Sequence, residues 1–199
     1  MTDIILKNVT KKFEDKIIFS KLNLTFPGGA CTCIMGTSGC GKTTLLNLLM
    51  KFQLPQEGEI LGVPDRISAV FQEDRLCEEF SAIANIRLVT GKQKNRSEIL
   101  EHLTELGIAD SAYLPVRELS GGMKRRVSIA RAILYSSDLL ILDEAFKGLD
   151  EANKQIAMDY VKRYQQGRTL ICVTHDTTES DYFGGKLINL EEFVHANQE

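Results

Sequence analysis

The chain has 199 residues, 43% of them hydrophobic and 26% charged, which suits one globular domain with a sizeable core. A net charge of −3 argues against a general nucleic-acid-binding role, and every apolar run falls far short of a membrane span. The opening residues Met1-Thr2-Asp3-Ile4 lack the basic-then-apolar layout of a secretory leader, so a cytoplasmic location is expected.

Residues 2–9 and 16–26 alternate loosely and carry β-branched and aromatic side chains on either side of Glu14-Asp15, which reads as a hairpin with Phe13 just before its turn. Pro27-Gly28-Gly29 is a tight turn into a short buried strand, Ala30 to Met35. An apolar helix follows over Thr44 to Met50, then a turn-rich stretch from Pro55 to Gly62 and a strand from Arg66 to Phe71 ending at Gln72. From about 73 to 135 the pattern is helical. Ser81 is a cap for a helix through Ile83, Ile86 and Leu88. Ser97 is a cap for Glu98 to Leu106, with Gly107 as terminator. Ser120 is a cap for 122–135, with Val127, Ala130 and Leu134 inward. Residues 138–142 are a continuous apolar run and read as a central strand. Asp150 caps a helix to Gln166, closed by Gly167. Thr169 to Thr174 reads as another buried strand, and Lys186 to Leu190 as a last one. Strands alternating with helices imply a mostly parallel sheet. The five cysteines (31, 33, 40, 77, 172) contain no CxxC pair and are expected to be reduced and mostly buried.

Three stretches carry chemistry. Gly36-Thr37-Ser38-Gly39-Cys40-Gly41-Lys42-Thr43 fits G-x-x-x-x-G-K-[ST] without mismatch, between a strand and a helix. Its glycines let successive backbone N–H groups curl around phosphate oxygens, and the helix N-terminus adds positive charge at the same point. Lys42 then reaches the β- and γ-phosphates, and the Thr43 hydroxyl ligates Mg²⁺. Asp143-Glu144 ends the apolar run and would bring two carboxylates to the edge where open α/β sheets bind ligands. Asp143 suits the metal, and Glu144 suits the attacking water. Leu119-Ser120-Gly121-Gly122-Met123 is a serine cap with two glycines opening a helix, a second anion site. Lys124, Arg125 and Arg126 crowd that helix start, where the dipole disfavours cations. Such a local inconsistency is expected where a negative ligand arrives. For Arg125 and Arg126 alone, a solvated basic face is the plainer alternative.

With these motifs in place, the chain resembles the ATPase subunit of an ATP-binding cassette (ABC) transporter. Leu119 to Met123 matches the signature that separates this family from other phosphate-loop ATPases. Gln72 fits the Q-loop, Gly148-Leu149-Asp150 the D-loop and His175 the switch histidine. Phe13 stands where the family places an aromatic against adenine. More narrowly, Val70 to Leu76 and Leu119 to Arg126 resemble the nitrate, sulfonate and taurine importer ATPases. Four positions depart from the family pattern: Thr37 stands for a frequent Pro, Ala145 for a usual Pro, Lys147 for a small residue or Ser, and Met123 for a frequent Gln.

The resemblance implies a phosphate-loop NTPase fold of the ABC type, an α/β class with an antiparallel β subdomain and an inserted helical subdomain. Residues 1–72 and 136–199 would form the nucleotide-binding core with the β subdomain, and 73–135 the helical part. It implies ATP and Mg²⁺ as cofactors, with Gly36 to Thr44 and Phe13 on the nucleotide and Thr43, Gln72 and Asp143 around the metal. Glu144, His175 and Gln72 would carry the chemistry. Ser120, Gly121, Gly122 and Asp150 would act across a dimer, each ATP lying between the phosphate loop of one subunit and the signature of the other. The partner would be a second copy or a paralogous ATPase subunit. Further expected partners are an integral-membrane permease, received in a groove formed partly by 73–90, and, for an importer, an extracellular solute-binding protein. No nucleic acid is expected. The protein would sit on the inner face of the membrane through the permease. A soluble ABC ATPase without a permease is the main alternative; a nucleotide kinase or a regulator without turnover fits the signature and Glu144 less well.

Overall fold

The computed structural model describes residues 1–14, 16–165 and 167–195. The chain starts with an antiparallel pair, β1 (Ile4–Phe13) and β2 (Lys16–Phe26). Asp15, in the expected turn, lies outside the described residues. Next come β3 (Cys31–Met35), the phosphate loop and α1 (Lys42–Leu49), then β4 (Glu57–Leu61) and β5 (Ile67–Val70). Three helices follow: α2 (Ala82–Thr90), α3 (Arg96–Glu105) and α4 (Gly121–Leu134). The chain then returns as β6 (Leu139–Asp143), α5 (Glu151–Tyr164), β7 (Thr169–Val173), α6 (Thr177–Phe183), β8 (Lys186–Asn189) and α7 (Glu191–His195).

Two sheets result. One is antiparallel with order β2-β1-β4, and the other is parallel with order β5-β6-β7-β3-β8. In the parallel sheet alternate side chains enter two cores. Leu140, Leu142, Leu170 and Cys172 pack under α4 and α5, whereas Leu139, Ile141, Ile171 and Val173 pack with α1 and the antiparallel sheet. Burial on both faces explains why β6 and β7 are unbroken apolar runs rather than alternating ones. Because all five strands run the same way, their carboxyl ends bring the phosphate loop, Gln72, Asp143-Glu144 and His175 to one edge.

The turn-rich stretch 55–62 is corrected by the structure. It contains β4, paired with β1 although its side chains are mostly exposed. Gly58 permits the pairing: it has φ +81°, and a Cβ there would lie 2.3 Å from the Asn8 carbonyl oxygen. The cap of α3 is Asn95 rather than Ser97. Asn95 Oδ1 accepts from Glu98 N at 3.0 Å, and Glu98 Oε2 accepts from Asn95 N at 2.9 Å, a reciprocal pair that Ser97 has no Glu three residues on to form. Ser81, Ser120 and Asp150 cap α2, α4 and α5 as expected, and Gly107 follows α3 with φ +66°. Helix α5 is described to Tyr164 with Gln165 as its cap; Gln166 lies outside the described residues. Helices α6 and α7 have no counterpart in the sequence reading. The thiols are free, with Cys33 and Cys172 buried, Cys31 and Cys40 half-buried and Cys77 exposed. No helix among the described residues is long and apolar enough to cross a membrane.

Candidate nucleotide site

The phosphate loop leaves β3 and closes on α1 through Gly36, Gly39 and Gly41, all with positive φ. At Gly41 the glycine is required twice over. Its φ is +103°, and a Cβ would lie 2.8 Å from both Ile18 and Phe19 of β2. The first N–H groups of α1 have no partner within the helix and point into the loop, so the site has the geometry of an anion cradle. Lys42 Nζ donates to Gly36 O at 2.6 Å and Thr37 O at 2.9 Å, which holds the ammonium over the loop. The Cys40 side chain packs beneath it, so Cys40 contributes backbone rather than thiol.

Thr37, which stands for a frequent Pro, has an N–H that Pro would lack. It donates to Glu191 Oε1 of α7 at 2.6 Å, tying the loop to the far end of the described chain. Nothing in the sequence marked Glu191; only the juxtaposition of β3 and β8 brings it to the loop.

An open pocket of about 400 Å³ lies on the loop. Ser38, Gly39, Gly41, Lys42, Thr43 and Thr44 line it from one side, and Gln72, Asp143, Glu144 and His175 from the other. Two further residues, Ile18 and Lys147, also line it, and neither was singled out as a ligand from the sequence. Burial, and then the charge of adjacent Glu144, pushes the Asp143 carboxyl up against the pull of Lys42, Arg125 and Arg75. A divalent cation would relieve that. The Thr43 hydroxyl, the Gln72 amide and the Asp143 carboxylate face one pocket and form a hard, all-oxygen set that fits Mg²⁺ bound mostly through phosphate and water.

Glu144 sits at a tight turn with φ +48°, its N–H bonded to Val173 O at 2.9 Å and its neighbours Ala145 and Phe146 fully buried. Its side chain is only 11% exposed. His175 Nε2 lies 2.6 Å from Oε1, and Lys147 Nζ donates to Oε2 at 2.8 Å. Burial alone would raise the Glu144 pKa; the Lys147 hydrogen bond and the charges of His175, Lys147 and Lys42 outweigh it, and the carboxyl lies below the ordinary glutamate value.

Phe13, Ser120, Gly121, Gly122 and Asp150 do not line this pocket. Phe13 ends β1, 43% exposed, with Lys11 Nζ 5.1 Å from its ring centroid. Ser120 Oγ accepts the Met123 N–H at 3.3 Å, and a Cβ on Gly121 would meet nothing within 4 Å, so the start of α4 is open to a partner. The basic residues behind it differ from the expectation. Arg125 donates to the Phe71 and Gln72 carbonyls at 2.6 Å each. Arg126 donates to Leu106 O at 2.8 Å and Gly122 O at 3.2 Å. Both are buried and turned onto backbone carbonyls, neither aimed at a ligand nor solvated. Lys124 pairs with Glu78 at 3.5 Å.

Comparison with known proteins places the chain in a family. A family profile described as ABC transporter matches residues 19–147. The chain belongs to the ABC transporter family. It is an ATP-binding, ATP-hydrolysing cassette of that family. The chain is 32% identical to the bicarbonate transport ATP-binding protein CmpD of Synechococcus elongatus, over 98% of this chain and 77% of that one. It is 34% identical to the aliphatic sulfonates import ATP-binding protein SsuB 2 of Pseudomonas fluorescens, over 95% and 74%. It is 37% identical to the intermembrane phospholipid transport system ATP-binding protein MlaF of Haemophilus influenzae, over 88% and 75%. Among solved structures, the dimeric bacterial ABC transporter cassette MJ0796 superposes with a TM-score of 0.81 at 28% identity, over 94% of this chain and 95% of that one. A bacterial Atm1-family ABC exporter with ATP bound shares the fold, with a TM-score of 0.84 at 24% identity over 96% of this chain and 38% of that one.

Proposed function

We propose that this cassette powers solute import through a membrane permease, hydrolysing ATP held between two subunits. The observation that carries the reading is the division of the anion sites. The phosphate loop, Gln72, Asp143, Glu144 and His175 share one pocket, and the Ser120-capped start of α4 lies outside it with Gly121 open. A second subunit supplying Ser120, Gly121, Gly122 and Asp150 would complete the cradle. Phe13 would stack on adenine. Thr43, Gln72 and Asp143 would hold Mg²⁺, which when bound supplies positive charge to the β- and γ-phosphate oxygens. Glu144 accepts the proton of the attacking water. His175, lying against Glu144 Oε1, would present its ring to the γ-phosphate side of the same pocket.

Import is supported by the sulfonate import relatives and by the resemblance of residues 70–76 and 119–126. The permease would bind the surface where residues 73–90 meet the core, beside exposed Phe52 and Phe80. A solute-binding protein would deliver cargo on the far side, and the cassette would lie on the inner membrane face. Residues 1–72 and 136–199 form the core unit in this reading, and 73–135 the signature-bearing helical unit.

The test is Glu144→Gln, which keeps the shape and removes the base. It should bind Mg-ATP, lose turnover and elute as a dimer only with nucleotide, because each ATP then contacts two chains. Turnover near wild type would assign the water to another residue.

A further inference from the structure

We infer that Lys147 is a positioning residue for Glu144, a role that rests on reading Glu144 as the base. The position is one where the family resemblance leads to a small residue. Here the Lys147 ammonium donates to Glu144 Oε2 at 2.8 Å while the His175 ring lies 2.6 Å from Oε1, so each carboxylate oxygen has its own nitrogen neighbour and Lys147 is the hydrogen-bond donor of the two. A carboxylate offers about four lone-pair sites, so the Lys147 bond on one oxygen and the His175 ring against the other set its plane and still leave sites facing the pocket for a water. Without the Lys147 donor the carboxylate would have no hydrogen bond to stop it swinging about its side-chain bonds.

The backbone makes the reach of Lys147 definite. Its N–H donates to Glu144 O at 3.2 Å, closing a turn whose centre, Ala145 and Phe146, is fully buried. Phe146 stacks on Phe183 of α6 with centroids 5.8 Å apart, and Gly148 at φ +81° turns the chain away immediately after. The Lys147 side chain is 59% exposed and lines the phosphate pocket, so it can be replaced without opening a cavity. Lys147 itself is more than half exposed, so its bond adds little to stability and the effect of this contact belongs on turnover rather than on the fold.

Steady-state ATPase kinetics of Lys147→Met, Lys147→Arg and Glu144→Gln test this. Lys147→Met keeps the stem and removes the donor. Its kcat should fall about tenfold, since a small misplacement of a reacting group costs one to two orders of magnitude, with KM for ATP within about twofold. Lys147→Arg should recover most of the loss. In a Glu144→Gln background, Lys147→Met should leave ATP affinity unchanged. Wild-type kcat for Lys147→Met, with Glu144→Gln dead, would overturn the inference alone. Equal losses in the Met and Arg variants would also overturn it, because restoring a cationic donor would then recover nothing. A rise in KM with constant kcat would make Lys147 a nucleotide contact instead. An active Glu144→Gln enzyme would overturn the reading of Glu144, and this inference with it.

Discussion

Lys42 is the single cation that the loop itself holds over the phosphate position, bonded to the carbonyls of Gly36 and Thr37. Lys42→Ala removes that charge and also releases the loop, so nucleotide binding should be abolished in a fluorescence titration; unchanged affinity would remove the phosphate-loop assignment. Phe13 acts at the other end of the nucleotide. An exposed aromatic at a strand end can offer a face to a base, and such stacking contributes about 1–3 kcal/mol. Phe13→Ala should therefore weaken ATP but not inorganic triphosphate in isothermal titration. Equal losses for both ligands would rule out an adenine platform. The contrast between these residues and Glu191 shows what a sequence can reveal. Lys42 and Glu144 are legible because their chemistry depends on local spacing: a glycine loop before a helix, two acids ending an apolar strand. Glu191 reaches Thr37 from more than a hundred and fifty positions away, and no local pattern encodes that contact.

Helix α4 joins the signature to the Q-loop. Arg125, Ser128 and Arg131 recur every three residues along it, and together they hold the carbonyls of Phe71, Gln72, Asp74 and Arg75. The start of α4 is thereby linked through this helix to the backbone of Gln72. Arg125→Met would remove the donor to two part-buried carbonyls and unpair Asp74, 3.3 Å from Arg125 Nε, at a cost of about 1–3 kcal/mol. Its chemical denaturation midpoint should fall, with ATP turnover reduced at temperatures where the fold remains intact. From the sequence these arginines had only a formal place beside the helix start; their partners lie over fifty residues upstream, which is why their direction was not legible. The same limit applies to β4, an exposed edge strand with little alternation of its own, and to the Asn95 cap. Strongly periodic helices and two-sided apolar strands were legible because their burial pattern repeats locally.

A second junction lies between α3 and α5. His102 Nδ1 is 3.0 Å from the Tyr160 hydroxyl, and its ring packs on Tyr164 with centroids 4.7 Å apart. Burial lowers the His102 pKa; the carboxylates Glu105, Glu101 and Glu98 oppose that, and Lys94 adds to it. The folded state thus favours neutral imidazole. As pH falls below the ordinary histidine value, the unfolded chain takes up a proton that the folded chain declines, and stability declines until the folded pKa is passed. His102→Gln should flatten the pH dependence of the urea midpoint between pH 7.5 and 5.5. An unchanged slope would place the titration elsewhere.

Across the molecule, the two anion sites are carried by different layers. One sits at the carboxyl edge of the parallel sheet, and the other opens α4 in the helical layer between β5 and β6. The pocket on the phosphate loop is lined by no residue of the α4 start. The reading that ATP bridges two chains follows from this separation, and mixing two inactive variants tests it directly. Lys42→Ala spoils the loop, and Ser120→Arg puts bulk and charge at the start of α4. Each homodimer then has two defective sites. A mixed dimer has one site with both defects and one built from an intact loop and an intact signature. ATP binding in the equimolar mixture, followed with ATP-driven association by light scattering, should exceed the average of the two variants and approach one site per dimer. A mixture that binds no more than that average would contradict the shared site and require a complete site within one chain.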